Sequence, residues 1–264
     1  MGKVIAIANQ KGGVGKTTTA VNLATSLAWS GRWTLLVDVD PQGNTTTALG
    51  FEKEEMEPNL YHALIGQVPL GKVIRETEVE RLHLVPANIH LIGVEVELVG
   101  ERERERRLRG LLGEIKGRYE YVLLDCPPSL GLLTLNALAA AHSVIIPLQC
   151  EYYAMEGLTQ LLRTIRAVKE RFNPLLRVEG ILLTMYDGRN NLARQVLKEV
   201  RDHFGPKVFN TVIPRNVRLS EAPSHGKPAL LYDLRCKGSQ SYLELARELL
   251  EDGHAQKDGV GQGA

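Results

Sequence analysis

The sequence predicts an α/β protein built as a single domain, with a doubly wound, mostly parallel sheet and helices on both faces. Three observations lead to this prediction. Apolar segments of strand length alternate with segments of helical spacing along the 264 residues. Several of those apolar segments are uniformly apolar, as strands covered on both faces are. The first of them runs directly into a glycine-rich turn, and neither an internal repeat nor a linker divides the chain.

The first predicted strand, residues 4–8, leads into the segment NQKGGVGKTTT at 9–19 and then into helical spacing over 20–30. Glycines let such a loop approach an anion closely, and the N–H groups of a helix N-terminus attract phosphate. Lys16 is placed to reach the β- and γ-phosphates of a nucleoside triphosphate, and the Thr17 hydroxyl to ligate Mg²⁺. The strict P-loop pattern has glycine where this chain has Gln10, so the motif is a variant of that pattern.

The second predicted strand, residues 33–38, is followed by the loop VDPQGN at 39–44. The carboxyl ends of strands in a doubly wound sheet line the ligand crevice. We therefore expect the carboxylates of Asp38 and Asp40 to lie near the phosphates.

Residues 51–100 carry the weakest pattern. We expect short helices over 60–65 and 89–98, with a strand over 82–86 between them. The histidines at 62, 83 and 90 have no carboxylate or cysteine at metal-ligand spacing, so we interpret them as ordinary surface or core residues. The alternating run ERERERR at 101–107 continues to residue 115 as an amphipathic helix, whose interleaved glutamates favour a solvated face over a nucleic-acid patch.

The next predicted strand, Tyr121–Asp125, has four apolar or aromatic residues that end in an aspartate. A carboxylate at that position is suited to hold Mg²⁺ through a coordinated water beside Thr17. The segment PPS at 127–129 forces an extended exit in reach of the γ-phosphate.

The remaining chain continues the alternation. We expect helices over 130–141, 154–172, 190–204 and 239–250, and strands over 142–148, 178–184 and, last, 207–213. Together these elements make one domain over residues 1–250. The tail, residues 251–264, is polar and rich in glycine, so we expect it to be disordered.

Composition excludes several classes of protein. The three cysteines, at 126, 150 and 236, show no C-x-x-C spacing, so neither a disulfide framework nor a zinc site is expected. The first residues enter a strand without a basic leader, so we expect no signal peptide. No run of about 18 apolar residues is present to span a membrane, and a cytoplasmic protein is expected.

Charge is unevenly distributed. The net charge is +1, but residues 163–218 contain twelve Lys and Arg against five Asp and Glu, a local balance of +7. Such a segment either faces a polyanion or consists of solvated helix faces. Charge alone leaves both interpretations open.

Four segments in order carry a family resemblance: KGGVGKTT at 11–18, DVDPQGN at 38–44, DCPPS at 125–129 and IPRNVRLSEAPSHGKP at 213–228. Together they resemble the ParA/Soj chromosome- and plasmid-partitioning ATPases. These belong to the P-loop NTPases of the deviant Walker A class, which also includes MinD and the nitrogenase iron protein. The resemblance runs from residue 3 to about residue 250, and the last segment is typical of chromosomal Soj-like members.

The resemblance implies that ATP and Mg²⁺ are the cofactors. The residues implied to hold the phosphates are Lys11, Gly12, Gly13, Val14, Gly15, Lys16, Thr17 and Thr18, with Thr17 and Asp125 at the metal. Lys11 would reach across an ATP-dependent homodimer to the partner's phosphates and, with Lys16 and Asp40, form the catalytic group. Asp40 would orient the attacking water. Pro214 and Asn216 would flank the adenine.

The resemblance also implies macromolecular partners. Arg189 and Arg218 match positions where Soj-like proteins contact the DNA backbone, and Arg215 is expected to join them in contacting DNA. Such contacts are non-specific and salt-sensitive, and an ATP-bound dimer doubles them. The implied activity is slow ATP hydrolysis, stimulated by the basic N-terminal segment of a ParB-type protein, on the nucleoid in the cytoplasm.

Other functions fit the sequence less well. A MinD-like, membrane-associated positioning ATPase needs a terminal amphipathic helix, whereas residues 253–264 are rich in glycine and nearly without apolar side chains. An iron–sulfur role is disfavoured because Cys126 and Cys150 lack the sequence surroundings of the iron protein's ligands. A metal-inserting ATPase is disfavoured because this sequence has no residues at metal-ligand spacing. Because the loop starts at residue 9, we expect no N-terminal operator-binding domain.

Overall fold

A seven-stranded sheet forms the centre of the protein, seen here in a computed structural model. The structure describes residues 2–151 and 154–258, and only the backbone of residues 252–258. Within these residues the strands lie in the order β3-β4-β2-β5-β1-β6-β7. All neighbouring pairs are parallel except β3 with β4. The strands are β1 (Lys3–Ile7), β2 (Thr34–Asp38), β3 (Arg75–Glu76), β4 (Leu82–Val85), β5 (Tyr121–Asp125), β6 (Ser143–Gln149) and β7 (Arg177–Thr184).

Helices connect the strands. The longer ones are α1 (Lys16–Trp29), α6 (Arg107–Glu114), α7 (Leu132–Ala140), α8 (Ala154–Arg171), α9 (Asn191–Phe204) and α12 (Lys237–Asp258). The shorter ones are α2 (Asn44–Ala48), α3 (Leu60–Leu64), α4 (Leu70–Val73), α5 (Val94–Glu97), α10 (Val217–Glu221) and α11 (Ala229–Tyr232). Short 3₁₀ turns cover Lys53–Glu55, Ile89–Gly93, Arg104–Arg106, Gly205–Lys207 and Ala222–His225. No helix in the part of the chain described is both long and apolar enough to cross a membrane.

Helices cover both faces of the sheet. Side chains alternate along β1, so that Val4 and Ala6 belong to one buried cluster and Ile5 and Ile7 to the other. The first cluster includes apolar side chains of α7 and α8, and the second includes those of α1 and α12. Burial on both faces is what the uniformly apolar strands predict, and the predicted fold class is confirmed.

The register of the central strands determines where the site lies. Ile7 is aligned with Asp125 across β1 and β5, and Asp38 is aligned with Asp125 across β2 and β5. Three neighbouring parallel strands therefore end at one level. The loops that follow them meet at the carboxyl edge of the sheet.

The predicted last strand, residues 207–213, is wrong. The chain there runs beside β7 and forms two isolated backbone hydrogen bonds with it. Phe209 N donates to Ile181 O at 3.0 Å, and Ile213 N donates to Leu183 O at 2.9 Å. The backbone N–H groups of Asn210 and Thr211 donate instead to the carboxylate of Glu248 on α12, at 2.7 and 3.0 Å. Because Glu248 accepts from these two N–H groups, the segment does not form a continuous hydrogen-bonded ladder with β7.

Other element boundaries differ from expectation. The two-residue edge strand β3 is not predicted, because so short a segment carries no periodicity. The helix expected over 101–115 begins only at Arg107, since Glu103 is in the left-handed region with φ of 57°. At the carboxyl terminus α12 extends past the expected end at residue 250 to Asp258. The rest of the expected tail, residues 259–264, lies outside the described residues.

Candidate nucleotide-binding site

The loop between β1 and α1, residues 9–15, turns through two glycines in the left-handed region. Gly13 has φ of 74° and Gly15, the N-cap of α1, has φ of 86°. A side chain at either position would be strained, which explains why the motif needs glycine there. The helix α1 begins directly after this turn, and the N–H groups at a helix N-terminus bind anions.

Two side chains outside the glycines hold the loop in place. Asn9 accepts from Lys11 N at 3.0 Å and donates to Pro147 O at 2.7 Å, which ties the loop to β6. Thr184, at the end of β7, donates to Val14 O at 2.8 Å. No sequence pattern predicts this role of Thr184, because its contact joins positions 170 residues apart.

Lys16 is buried and folds back over the loop, where its Nζ donates to Lys11 O at 3.1 Å. Burial lowers the pKa of Lys16, and the nearby carboxylates of Asp125 and Asp40 oppose that shift. A cation enclosed by the loop backbone is suited to neutralise phosphate oxygens.

Lys11 is half-exposed and forms an ion pair with Glu151, beyond the end of β6. Its ammonium group is therefore engaged on the outer surface, whereas that of Lys16 lies inside the loop. The two lysines of the motif occupy different environments, as the resemblance implies for lysines with different roles.

Asp125 forms the centre of a hydroxyl–carboxylate cluster. Its Oδ2 accepts from Thr17 Oγ1 at 2.8 Å and from Thr45 Oγ1 at 2.7 Å. Its buried Oδ1 has no hydrogen-bond partner among the described residues. Burial raises the pKa of Asp125 to about 6, and the two hydroxyl groups oppose the shift. Hard oxygen donors with one unpartnered carboxylate oxygen fit Mg²⁺, either directly or through water.

The two aspartates of the second loop have different surroundings. Asp38 Oδ2 accepts from Thr46 N at 2.9 Å and Thr46 Oγ1 at 2.7 Å, and this anchors the start of α2. Burial and the charge of Asp125 raise the pKa of Asp38 to about 8. Asp40 lies in the loop itself, where its Oδ1 accepts from Gln42 N at 3.0 Å. Of the two aspartates, Asp38 stabilises the start of α2 and Asp40 does not.

A cavity of about 300 Å³ adjoins the loop. It brings Pro214 and Asn216 together with Gly15 and Thr18 of the phosphate loop and helix start. Its remaining lining residues are Thr184, Met185, Ile213, Arg215, Leu219, Ser220, Pro223 and Tyr242. Asn216 also caps α10 by accepting from Arg218 N at 2.9 Å.

The three candidate DNA-contacting arginines do not share one environment. Arg189 is exposed and pairs with Asp187 through two contacts, at 2.9 and 2.8 Å. Arg218 pairs with Glu221 at 2.8 Å and lies 3.4 Å from Asp233. Arg215 lines the cavity described above. Two of the three positive charges are thus already balanced by carboxylates.

The histidines set aside in the sequence have structural contacts. His62 belongs to the capping box of α3, and His83 Nδ1 lies 2.7 Å from the hydroxyl of Tyr119. His90 lies 3.6 Å from a carboxylate oxygen of Glu57. Over the described residues, no group of three or more His, Cys, Asp or Glu side chains is arranged to hold a metal ion.

Residues missed by sequence reasoning complete the site. Thr45 donates to Asp125, and Thr46 holds Asp38. Glu151 pairs with Lys11. A run of hydroxyl residues directly after the Asp40 loop was the available signal for the two threonines. Nothing in the sequence pointed to Glu151.

Comparisons with known proteins identify relatives of this chain. A family model described as an AAA domain matches residues 2–178. The chain is 56% identical over 253 residues to the sporulation initiation inhibitor protein Soj of Bacillus subtilis, covering 96% of this chain and 100% of the relative. It is 57% identical over 251 residues to the chromosome partitioning protein ParA of Myxococcus xanthus, covering 95% and 89%.

A solved structure shows the same fold. It is a Mycobacterium smegmatis protein described as cobyrinic acid a,c-diamide synthase with bound ADP and magnesium, 40% identical, with a TM-score of 0.86 and 97% of each chain covered. Identity is higher, at nearly full coverage, to the partitioning proteins than to this synthase. The resemblance carried by the four sequence segments is confirmed: the chain belongs to the ParA/Soj family of chromosome-partitioning ATPases.

Proposed function

We propose that the chain is an ATP-dependent, dimerising switch. In its ATP state it binds double-stranded DNA non-specifically, and it hydrolyses ATP to drive partitioning of a chromosome or plasmid with a ParB-type partner. It acts in the cytoplasm, on the nucleoid. Hydrolysis is slow alone and is stimulated by the partner.

The observation that carries the proposal is the arrangement around Asp125. Its unpartnered, buried Oδ1 lies in the same cluster as the Thr17 hydroxyl, at the first turn of α1 and beside the enclosed Lys16. A buried carboxylate oxygen without a partner is costly unless a cation or water completes it. Mg²⁺ and ATP would complete this site, and the Mycobacterium smegmatis protein of similar fold is described with bound ADP and magnesium.

The chain's own residues divide the work of hydrolysis. The loop N–H groups and Lys16 hold the phosphates and neutralise charge that develops on them. Asp40 accepts a hydrogen bond from the attacking water and orients it. Thr17 and Asp125 would hold Mg²⁺, and the charge of the bound ion would help to neutralise the phosphates. Pro214 and Asn216 hold the base in the adjoining cavity.

Lys11 couples nucleotide binding to dimerisation. When two subunits associate, its ammonium group leaves the exposed carboxylate of Glu151 and contacts the phosphates bound by the second subunit. Because an exposed ion pair contributes only about 0–1 kcal/mol, leaving Glu151 costs little. Two ATP molecules then lie between the subunits.

DNA binding follows from the basic segment 163–218 and its arginines. Neutralising backbone phosphates gives affinity without sequence preference and with strong salt dependence. A single chain offers few such contacts, and joining two chains doubles them. ATP therefore turns DNA binding on, and hydrolysis releases it.

The test is binding to a non-specific DNA duplex across a salt series, with ADP and with ATP. Asp40→Ala holds the ATP state. We expect binding only with ATP, falling steeply with salt, and lost in Arg218→Glu. The matched control is Arg102→Glu, an exposed charge reversal outside the basic segment, which should bind as the parent does. Absence of DNA binding in both nucleotide states would refute the DNA-dependent switch.

A further inference from the structure

The short helix α2 follows the Asp40 loop and is bonded to two aspartates at strand ends. Thr45 Oγ1 donates to Asp125 at 2.7 Å, and Thr46 Oγ1 donates to Asp38 at 2.7 Å. Both threonines are fully buried, so these hydrogen bonds are shielded from water. A shift of either carboxylate therefore moves the start of α2.

The other end of α2 crosses the chain just after the 3₁₀ turn Ala222–His225. Gly50 has φ of 84° and Gly226 has φ of 62°, so both glycines are in the left-handed region. A Cβ at Gly226 would lie 2.7 Å from Gly50 Cα, and a Cβ at Gly50 would lie 3.0 Å from Gly226 O. In this glycine crossing two backbones are in direct contact. Because no side chain lies between them, no change of rotamer can absorb a displacement of one backbone.

The turn beside the glycine crossing leads to the surroundings of Arg218. His225, next to Gly226, stacks on the ring of Tyr232 with a centroid distance of 4.9 Å. Tyr232 OH donates to Glu221 Oε2 at 3.4 Å, and the same oxygen accepts from Arg218 at 2.8 Å. The guanidinium of Arg218 lies 5.9 Å from the centroid of the Tyr232 ring. A continuous set of contacts thus connects α2 with Arg218.

Arg218 is held by carboxylates in this arrangement. Glu221 lies at 2.8 Å from its guanidinium and Asp233 at 3.4 Å, while half of the side chain remains exposed. A guanidinium with two carboxylates beside it presents little net positive charge to a polyanion. Glu221 is the last residue of α10 and directly precedes the turn, so the position of the turn sets the position of this carboxylate.

Space for movement lies next to the glycine crossing. A cavity of about 380 Å³ is lined by Thr17 and Thr18 of α1, by Thr47 of α2, and by Ser224 and Lys227. The last two flank the crossing on the side of the turn. The helix α2 and the turn can therefore shift together against α1 while the glycines stay in contact.

We infer that the glycine crossing couples the phosphate site to Arg218. Occupation of the phosphate site shifts Asp125 and α2, and the crossing passes that shift to the turn 222–225. Glu221 and Tyr232 then release Arg218 for a DNA phosphate. DNA binding depends on the nucleotide in two ways, through the joining of two chains and through the partners of Arg218 within each chain. The second dependence rests on the proposed function.

The test compares three alanine variants of the full chain. Gly50→Ala places a Cβ against Gly226 and so disturbs the crossing. His225→Ala removes the ring that stacks on Tyr232 and introduces no backbone strain. Gly66→Ala is the matched control, because Gly66 has φ of 83° and a Cβ there would meet no atom within 4 Å.

Four quantities are measured for each variant. They are the affinity for a fluorescent ATP analogue, the mass with ATP by light scattering, the affinity for a non-specific DNA duplex in ATP and in ADP, and hydrogen exchange over residues 216–232. We expect Gly50→Ala and His225→Ala to bind ATP and to dimerise as the parent does. The ratio of DNA affinity in ATP to that in ADP should fall at least fivefold in both variants. Arg218→Ala added to His225→Ala should cause no further loss.

Hydrogen exchange gives a result that does not depend on DNA. Replacing ADP by ATP should change exchange over residues 216–232 in the parent and in Gly66→Ala, but not in Gly50→Ala. If circular dichroism shows that Gly50→Ala is unfolded, His225→Ala decides by its affinity ratio.

Three outcomes would overturn the inference. They are an unchanged affinity ratio in either variant that folds, an equal fall of the ratio in Gly66→Ala, and a parent that binds ATP without a change in exchange over residues 216–232. A parent that binds ATP and shows this change but binds no DNA contradicts the proposed function alone. A parent that does not bind ATP contradicts both.

Discussion

Asp38 and Asp125 are register partners at the carboxyl ends of the adjacent strands β2 and β5, and both are fully buried. Burial is the main reason that the pKa of Asp38 is raised to about 8 and that of Asp125 to about 6. Two neighbouring buried carboxyl groups resist ionisation together. A bound cation relieves that resistance, since its charge lowers the pKa of both groups.

Asp38→Asn is expected to flatten the pH dependence of stability. The raised pKa means that the folded chain keeps a proton that the unfolded chain releases near pH 4. The free energy of unfolding contributed by this group therefore falls as the pH rises from about 4 to about 8. Urea unfolding across that pH range measures the slope. Asp202→Asn, which removes a surface partner of Lys198, should keep the parent's slope. An unchanged slope in Asp38→Asn would argue against this assignment.

Thr45→Val is expected to destabilise the fold by about 1–3 kcal/mol, because a buried Asp125 oxygen loses a donor. The pKa of Asp125 rises further, so Mg²⁺-dependent ADP binding should also require more Mg²⁺. Urea unfolding and ADP titrations at several Mg²⁺ concentrations check both effects. Thr47→Val on the same helix is the control, since its hydroxyl bonds only to Gly43 O in the described contacts. Equal effects of the two substitutions would contradict the role of Thr45.

Lys16→Ala is expected to weaken ATP binding by about 30-fold or more, which corresponds to about 2 kcal/mol or more for a buried charged contact. The reason is that the enclosed ammonium is the cation held inside the loop. Titration with a fluorescent ATP analogue gives the affinity. Lys53→Ala, a lysine outside the loop, serves as the control. Near-normal affinity in Lys16→Ala would remove this lysine from the phosphate site.

Lys11→Ala is expected to bind ATP and remain monomeric, because its ammonium acts on the other subunit. Light scattering with ATP measures the mass. Glu151→Gln offers the opposite change: it removes the carboxylate that competes for Lys11, so the ATP-dependent dimer should form at a lower protein concentration. A normal dimer in Lys11→Ala would show that this lysine does not act across the interface.

Asp187→Asn and Arg189→Ala should shift DNA binding in opposite directions. The carboxylate of Asp187 balances Arg189, and that pairing holds the pKa of Asp187 down at about 2. Removing the carboxylate frees the guanidinium for phosphate and raises affinity at low salt. Removing the arginine should lower the salt slope by about 0.9 for each lost phosphate contact. The affinity for DNA is measured at four salt concentrations for both variants. Equal salt slopes in the two variants would exclude Arg189 from the DNA-binding surface.

Local patterns predicted much of this fold. The periodicity of apolar residues placed six of the seven strands and most of the helices. Failures occurred where a distant contact overrides the local pattern. The segment 207–213 is apolar enough for a strand, but Glu248 on α12 binds two of its N–H groups. The helix expected from residue 101 starts later because Glu103 adopts a left-handed conformation.

The candidate site was predictable where one short segment carries the chemistry. Glycines at 13 and 15 are required by the turn itself, and Lys16 and Thr17 follow at the helix start. The contacts of Thr184 and Glu151 with the site join residues far apart in the sequence, so no local spacing predicts them.

The sequence by itself determined the alternation of strands and helices, the phosphate loop and the aspartates at the strand ends, because these depend on backbone conformation and on the periodicity of burial. Only the tertiary structure decided that Asp38 and Asp125 are neighbours and that Oδ1 of Asp125 lacks a hydrogen-bond partner among the described residues. It also decided that the apolar side chains of Ile89, Ile92, Val96 and Val99 are exposed. The physical reason is that strand order, register and burial arise from pairing between distant segments. That pairing sets the local dielectric environment, and with it the pKa of each buried group.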